Sequence, residues 1–235
     1  MDKPELIKTI VPSVGLLVVS KTDGKATQLR TLGTGFLVEI DEEKFIVSNA
    51  HVWNGIPEND RPYVGILLYN GTDGKKLDSY TACKLDAPVV VDAARDLMLF
   101  RVSNVLLATP ADLGNPDEMV AGGDVMFVGF PLADSLLQMG WGLTVTSHSA
   151  MISSVKRDAN NGELSFFAVD KHSNPGLSGS PIASIENGEV IGIMSGHITN
   201  QSQTDPNFKI SAGIAVGRPV SKEILRGLLV NLKVR

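Results

Sequence analysis

The sequence predicts an all-β chain built as two six-stranded antiparallel β-barrels, closed off by a C-terminal α-helix. Three observations carry that expectation. Twenty-three glycines punctuate many short β-branched runs, the pattern of strands separated by tight turns. The runs fall into two groups of about six, parted by a proline- and glycine-rich stretch. Only the last dozen or so residues switch to a helical period.

In the first half, strands are expected at 11–19, 31–40, 44–48, 63–69, 80–91 and 97–102. The pattern then breaks at Pro110, Gly114-Asn115-Pro116 and Gly122-Gly123, which reads as a connector. Strands resume at 124–129, 142–155, 164–169, 181–185, 189–195 and 210–216. Over 221–232, Ile224, Leu225, Leu228, Leu229 and Leu232 make one helical stripe, with Ser221 placed to cap its start. The implied division is a first barrel at 1–103, a connector at 104–123, and a second barrel plus helix at 124–235.

Bulk properties narrow the function. A formal net charge of -5 and a pI near 5.4, with no basic block, argue against nucleic-acid binding. The single cysteine, Cys83, permits no intramolecular disulfide and reads as a half-buried small residue. No stretch of eighteen apolar residues exists to span a membrane. The mixed charges of Asp2, Lys3, Glu5 and Lys8, with Pro12 interrupting the apolar run, read as the lead-in to a strand rather than a secretory signal. A cytoplasmic location is expected. No metal-binding or cofactor motif is present.

Three segments carry chemistry. In Ile46-Val47-Ser48-Asn49-Ala50-His51-Val52 an apolar strand ends in small polar residues and then presents a histidine. A rigidly supported imidazole beside a cleft suits a general base. In Ala94-Arg95-Asp96-Leu97-Met98-Leu99-Phe100 an aspartate opens an apolar strand, where it can accept a hydrogen bond from an imidazole. In Asn174-Pro175-Gly176-Leu177-Ser178-Gly179-Ser180-Pro181 a serine is framed by glycines, so the backbone can fold tightly around it. The amides of Gly176 and Ser178 can then converge on one point as an oxyanion hole. Taken singly, each segment also fits a plain reading: a structural histidine, a solvated turn aspartate, a tight turn.

Together these segments resemble the trypsin-like serine peptidases, and within them the disulfide-free bacterial branch that includes the HtrA proteases. Gly33-Thr34-Gly35-Phe36-Leu37-Val38 is similar to the glycine-rich strand that precedes the family's histidine. Ser48 to Val52 matches its Ser/Thr-Asn-Ala-His-Val segment, and Asp96 to Phe100 its Asp-Leu-Ala-Leu-Leu type segment. Gly129-Phe130-Pro131 matches its Gly-x-Pro turn, and 174–181 its Asn-Pro-Gly-Asn-Ser-Gly-Gly-Pro nucleophile segment. The strand at 188–193 and the run at 211–216 fit as well, so the likeness covers about residues 11–230. The order His51, Asp96, Ser178 is that of the chymotrypsin group. The resemblance implies the double-barrel fold and a catalytic triad of those three residues.

Two departures matter. Trypsin itself has an aspartate before the nucleophile that pairs with a freed N-terminus, and here Leu177 stands in that place. Activation by that ion pair is not expected. Ser180 replaces the second glycine after the nucleophile, as in bacterial glutamate-specific relatives. The positions that shape the family's primary pocket map to His172, to Ser195, Gly196 and His197, and to Gly213. With no aspartate among them, a Lys or Arg preference is not expected. His172 and His197 either favour an acidic or polar side chain, or His197 narrows the entrance for a small aliphatic one. His148 reads as an exposed strand residue. The partner implied is a protein or peptide. It is either cut through an acyl-enzyme or held uncut by a silent module, or by a protease waiting for a ligand to order its oxyanion loop.

Overall fold

A computed structural model of the chain describes residues 2–23, 26–71, 78–103, 108–201 and 209–233. It contains two antiparallel sheets. The first holds β1 (Val14–Asp23), β2 (Ala26–Ile40), β3 (Glu43–Ser48), β4 (Val64–Tyr69), β5 (Tyr80–Lys84), β6 (Val90–Asp92) and β7 (Leu97–Val102) in the order β5-β4-β1-β2-β3-β7-β6. The second holds β8 (Asp124–Gly129), β9 (Thr146–Arg157), β10 (Leu164–Val169), β11 (Pro181–Ser184), β12 (Val190–Gln201) and β13 (Lys209–Pro219). It is a closed six-stranded barrel, β10-β13-β12-β11-β8-β9.

The first half therefore departs from the expected closed barrel. The run read as one strand at 80–91 is two, with β5 paired to β4 and β6 paired to β7. Leu85-Asp86-Ala87-Pro88-Val89 intervenes. Proline has no N–H for a ladder and restricts the residue before it, so the strand stops and turns. The hydrogen-bonded ring stays open between the two pieces.

The N-terminus is a second correction. Residues 11–13 form a 3₁₀ turn rather than the start of a strand, and a helix, α1 (Lys3–Ile10), precedes it. Asp2 caps α1 by accepting from the Glu5 N–H at 2.9 Å, Pro4 sits in the first turn, and Lys8 lies in the last. Those charges are favourable at helix ends. The valine-rich run beyond Pro12 masked that signal.

Strand periodicity sorts the apolar side chains into three cores. Along β7, Leu97 and Leu99 face one cluster while Met98 and Phe100 face another. The same split separates Val14, Leu16 and Val18 from Leu17 and Val19 on β1. One cluster, with Leu37, Ile46 and Ile66, fills the first sheet. Another, with Phe127, Phe167, Leu177 and Ile182, fills the barrel. The largest joins the two halves, bringing Phe36, Phe45 and Leu99 against Met126, Val128, Ala183 and Ile193. Both faces of these strands are covered, so they read as near-continuous apolar runs. The C-terminal helix α4 (Lys222–Lys233) buries Leu225 against this joint core, and Ser221 Oγ accepts from the Ile224 N–H at 3.2 Å as its cap.

Candidate active site

The site lies where the two halves meet. β3 runs into Ser48 and Asn49, and a short helix, α2 (Ala50–Asn54), then lifts His51 to the surface. Asp96 stands in the turn just before β7 with a left-handed φ of 55°. Aspartate tolerates that conformation better than most residues. Here the turn aims the carboxylate at α2. His51 donates its backbone N–H to Asp96 Oδ1 at 2.9 Å, and its Nδ1 lies 2.9 Å from Oδ2. The Asn49 side-chain amide donates to the Asp96 carbonyl at 3.0 Å, fixing the turn to the α2 start.

Ser178 enters from the barrel. Its Oγ is 3.0 Å from His51 Nε2, so the imidazole bridges hydroxyl and carboxylate through its two nitrogens. The imidazole is about half exposed, whereas the Asp96 side chain keeps only 14% of its surface. Burial alone would raise the Asp96 pKa. Hydrogen bonds from the His51 ring, the Ser195 hydroxyl and the His51 backbone, with the imidazole charge, outweigh it and hold the carboxyl below its ordinary value.

The loop 174–180 is clamped from both halves of the molecule. On the first sheet, Thr34 N–H donates to the Ser178 carbonyl at 2.7 Å, and Thr34 Oγ donates to the Gly176 carbonyl at 2.7 Å. The same Thr34 oxygen accepts from the Phe130 N–H at 3.2 Å. On the barrel, Gly179 N–H donates to the Met194 carbonyl at 2.8 Å, and Leu132 N–H to the Pro175 carbonyl at 2.8 Å. Two glycines are obligatory here. Gly176 has φ +96°, and a Cβ there would lie 2.2 Å from the Phe130 carbonyl oxygen. Gly179 has φ +90°, and a Cβ would lie 1.8 Å from the Thr34 oxygen. Among the described residues, the N–H groups of Gly176 and Ser178 donate to no backbone carbonyl. Leu177 between them is fully buried in the barrel core.

The residues expected to bind substrate divide. His172 and Gly196 lie on the two segments flanking the serine loop, and His172 is exposed. Ser195 is different: its hydroxyl donates to Asp96 Oδ2 at 2.5 Å, so the side chain serves the carboxylate. Backbone pairing places His197 opposite Ala215, and Gly213 lies in β13, while the His197 side chain lies outside the described residues. His148 is not the exposed residue expected. It is partly buried, stacks on Phe127 with ring centroids 5.0 Å apart, and has its Nε2 3.0 Å from Thr146 Oγ. Desolvation, with the Lys171 charge, lowers its pKa. Cys83 is half-buried as expected, and burial raises its thiol pKa.

The motifs left Thr34 without a role, and its place between two glycines was the one available signal. The part played by Ser195 had no local signal, because it depends on β12 reaching across to a turn of the other sheet. Among the described residues no cluster of three metal-ligating side chains occurs, and no helix is long and apolar enough to cross a membrane.

Comparison with known proteins agrees with this architecture. The trypsin-like peptidase domain family matches residues 33–193. The serine protease Do-like HtrA of Bacillus subtilis (strain 168) is 26% identical over 198 residues, covering 82% of this chain and 39% of that one. Its namesake from Lactococcus lactis subsp. lactis (strain IL1403) is 26% identical over 182 residues, covering 77% and 40%. The chain thus spans about two fifths of the length of the curated relatives it matches. Among solved structures, an HtrA-type protease AlgW with decapeptide superposes with a TM-score of 0.68 at 19% identity, over 100% of this chain and 68% of that one. AlgW with tripeptide gives 0.65 at 22% identity, over 98% and 64%. The family match spans the histidine, aspartate and serine segments together, and the chain belongs to the trypsin-like peptidase domain family.

Proposed function

We propose that the chain is a serine endopeptidase in which Ser178 is the nucleophile, His51 the general base and acid, and Asp96 the group that orients and stabilises the imidazole. The observation that carries this reading is the continuous contact from the Asp96 carboxylate through both ring nitrogens of His51 to Ser178 Oγ. As Oγ attacks the scissile carbonyl, His51 Nε2 takes its proton, and the imidazolium faces an ionised carboxylate. The negative charge formed on the carbonyl oxygen falls to the N–H groups of Gly176 and Ser178, which are free to receive it. His51 returns the proton to the leaving amine, leaving an acyl-enzyme on Ser178. Water, deprotonated by His51, then releases the acid.

The substrate's acyl half fits an extended strand along β12. Residues 190–193 of β12 are occupied by β11, and Gly196 and His197 pair with β13 on one side only. Among the described residues no strand pairs with the other edge at 195–197, which suits it to backbone pairing with a peptide. Selection at the cleaved position then rests with the flanking segments that carry His172, Gly196, His197 and Gly213. None offers a carboxylate for Lys or Arg, which leaves an acidic or polar residue, or a small aliphatic one.

Labelling with a fluorophosphonate tests the reading. Wild-type protein is expected to be labelled at Ser178, and Ser178→Ala to remain unlabelled. A folded wild type that is neither labelled nor cleaves any member of a peptide library would overturn it.

A further inference from the structure

Beyond the serine loop, the segment 130–145 presents an apolar surface that no other described part of the fold covers. Its helix α3 (Ala133–Gln138) starts at Leu132, which has a left-handed φ of 54°. The helix ends in a two-bond turn, with Gly140 N–H donating to Leu137 O and Trp141 N–H to Leu136 O, both at about 3 Å. That is a Schellman cap, in which the residue in Trp141's place commonly folds back onto the residue in Leu136's place. Here Trp141 remains 75% exposed, Met139 66% and Leu132 45%. Three of the largest exposed apolar side chains of the described chain thus stand on ten consecutive residues. Such a cluster marks a contact surface rather than scattered exposure.

The segment is held firmly around this surface. Leu132 N–H donates to the Pro175 carbonyl, Asp134 accepts from the Thr31 N–H at 3.1 Å, and the Leu143 carbonyl accepts from the Tyr80 hydroxyl at 3.2 Å. A pinned backbone carrying uncovered apolar side chains is preorganised for binding, since little ordering is left to do.

Its position relative to the serine specifies the occupant. The loop 174–178 lies between β12, reached through Gly179 and Met194, and Leu132, reached through Pro175. An acyl half paired on the β12 edge lies on the first side. The chain beyond the scissile bond must leave across Gly176, toward Leu132 and α3. We propose that Leu132, Met139 and Trp141 form a binding surface for the leaving-group half of the substrate, selecting large apolar side chains at the second and third positions after the cut bond. This rests on the endopeptidase reading and adds a substrate class to it.

The test uses internally quenched peptides with one acyl half, carrying Leu and Phe or Ser and Asp at those two positions. Wild-type protein is expected to prefer the apolar pair about tenfold in kcat/KM, which corresponds to about 1.4 kcal/mol. Met139→Ser/Trp141→Ser should reduce the preference below about threefold, whereas Val230→Ser, an exposed apolar change on α4, should leave it intact. A second measurement is independent of turnover. In Ser178→Ala, the apolar peptide should blue-shift the fluorescence of Trp141, the exposed one of the chain's two tryptophans, Trp53 being nearly buried. Cleavage with no apolar preference, or a preference that survives the double change, overturns the surface alone. Absence of cleavage together with absence of fluorophosphonate labelling overturns the endopeptidase reading with it.

Discussion

The Ser195 hydroxyl donates to Asp96 Oδ2 at 2.5 Å, joining β12 of the barrel to the turn before β7 of the other sheet. Asp96 thus receives donors from both halves of the molecule: the His51 backbone and ring from one, Ser195 from the other. The orientation of the imidazole depends on how the halves pack.

Ser195→Ala removes the donor from the barrel and leaves those from His51. We expect kcat/KM to fall about tenfold, the scale typical for losing a partner that orients a catalytic group. The carboxyl loses one of the hydrogen bonds that lower its pKa, so the acid limb of the stability profile should move to higher pH. Ser195→Thr, which keeps a hydroxyl, should restore both. Unchanged kcat/KM and an unchanged acid limb in Ser195→Ala would contradict this role.

Asp96→Asn keeps the shape of the side chain and removes its charge. A drop in kcat on the order of 10⁴-fold is expected, since the imidazole loses its correct tautomer and its counter-charge. Stability carries a separate signature. The folded carboxyl is held below its ordinary pKa, so the unfolded chain takes up the proton first as pH falls. The resulting stabilisation is present in full above the ordinary carboxylate value of about 4 and is lost as pH drops through the folded value. The Tm difference between wild type and Asp96→Asn should therefore narrow in acid. A difference that stays constant from neutral pH to about pH 3 would refute the linkage.

Thr34→Val is nearly isosteric but deletes the oxygen that joins Gly176 to Phe130. Thr34 is fully buried, so water cannot replace it. Leaving those backbone groups unpaired should cost about 1–3 kcal/mol of stability, read from the urea midpoint. Activity should fall further than stability alone explains, because the Gly176 carbonyl belongs to the loop whose N–H groups we propose as the oxyanion donors. Thr34→Ser, which keeps the oxygen, should recover most of the loss.

Leu177→Asp places a carboxylate in the barrel core beside Phe127 and Ile182. Leu177 is fully buried among apolar side chains there. Destabilisation on the order of 3 kcal/mol or more is expected, measured by denaturant unfolding. Leu177→Met, which conserves volume, should cost less than about 1.5 kcal/mol. A stable, active Leu177→Asp protein would mean that a buried cation reaches this point after all.

Much of the fold was legible because its signals are local. β7, β8 and β10 begin and end where expected, since each is an apolar run bounded by turn residues. The α4 stripe and its Ser221 cap were equally plain. The misreadings share a cause. α1 hid behind valines with strong strand propensity, and the run at 80–91 looked continuous although Pro88 ends it. His148 appeared exposed because nothing local shows that Phe127 lies across the ladder from it.

The sequence by itself determined the two-part β architecture, the family, and the places of His51, Asp96 and Ser178 on strand ends and a glycine-framed turn. Each depends on a few adjacent residues, so short-range sterics and periodicity reveal it. Only the tertiary structure decided that Ser195 serves Asp96, that Thr34 clamps the serine loop, that the first sheet stays open, and that Trp141 stands exposed. Those relations join residues about a hundred or more positions apart, or depend on what does not pack against a side chain, and a linear pattern encodes neither.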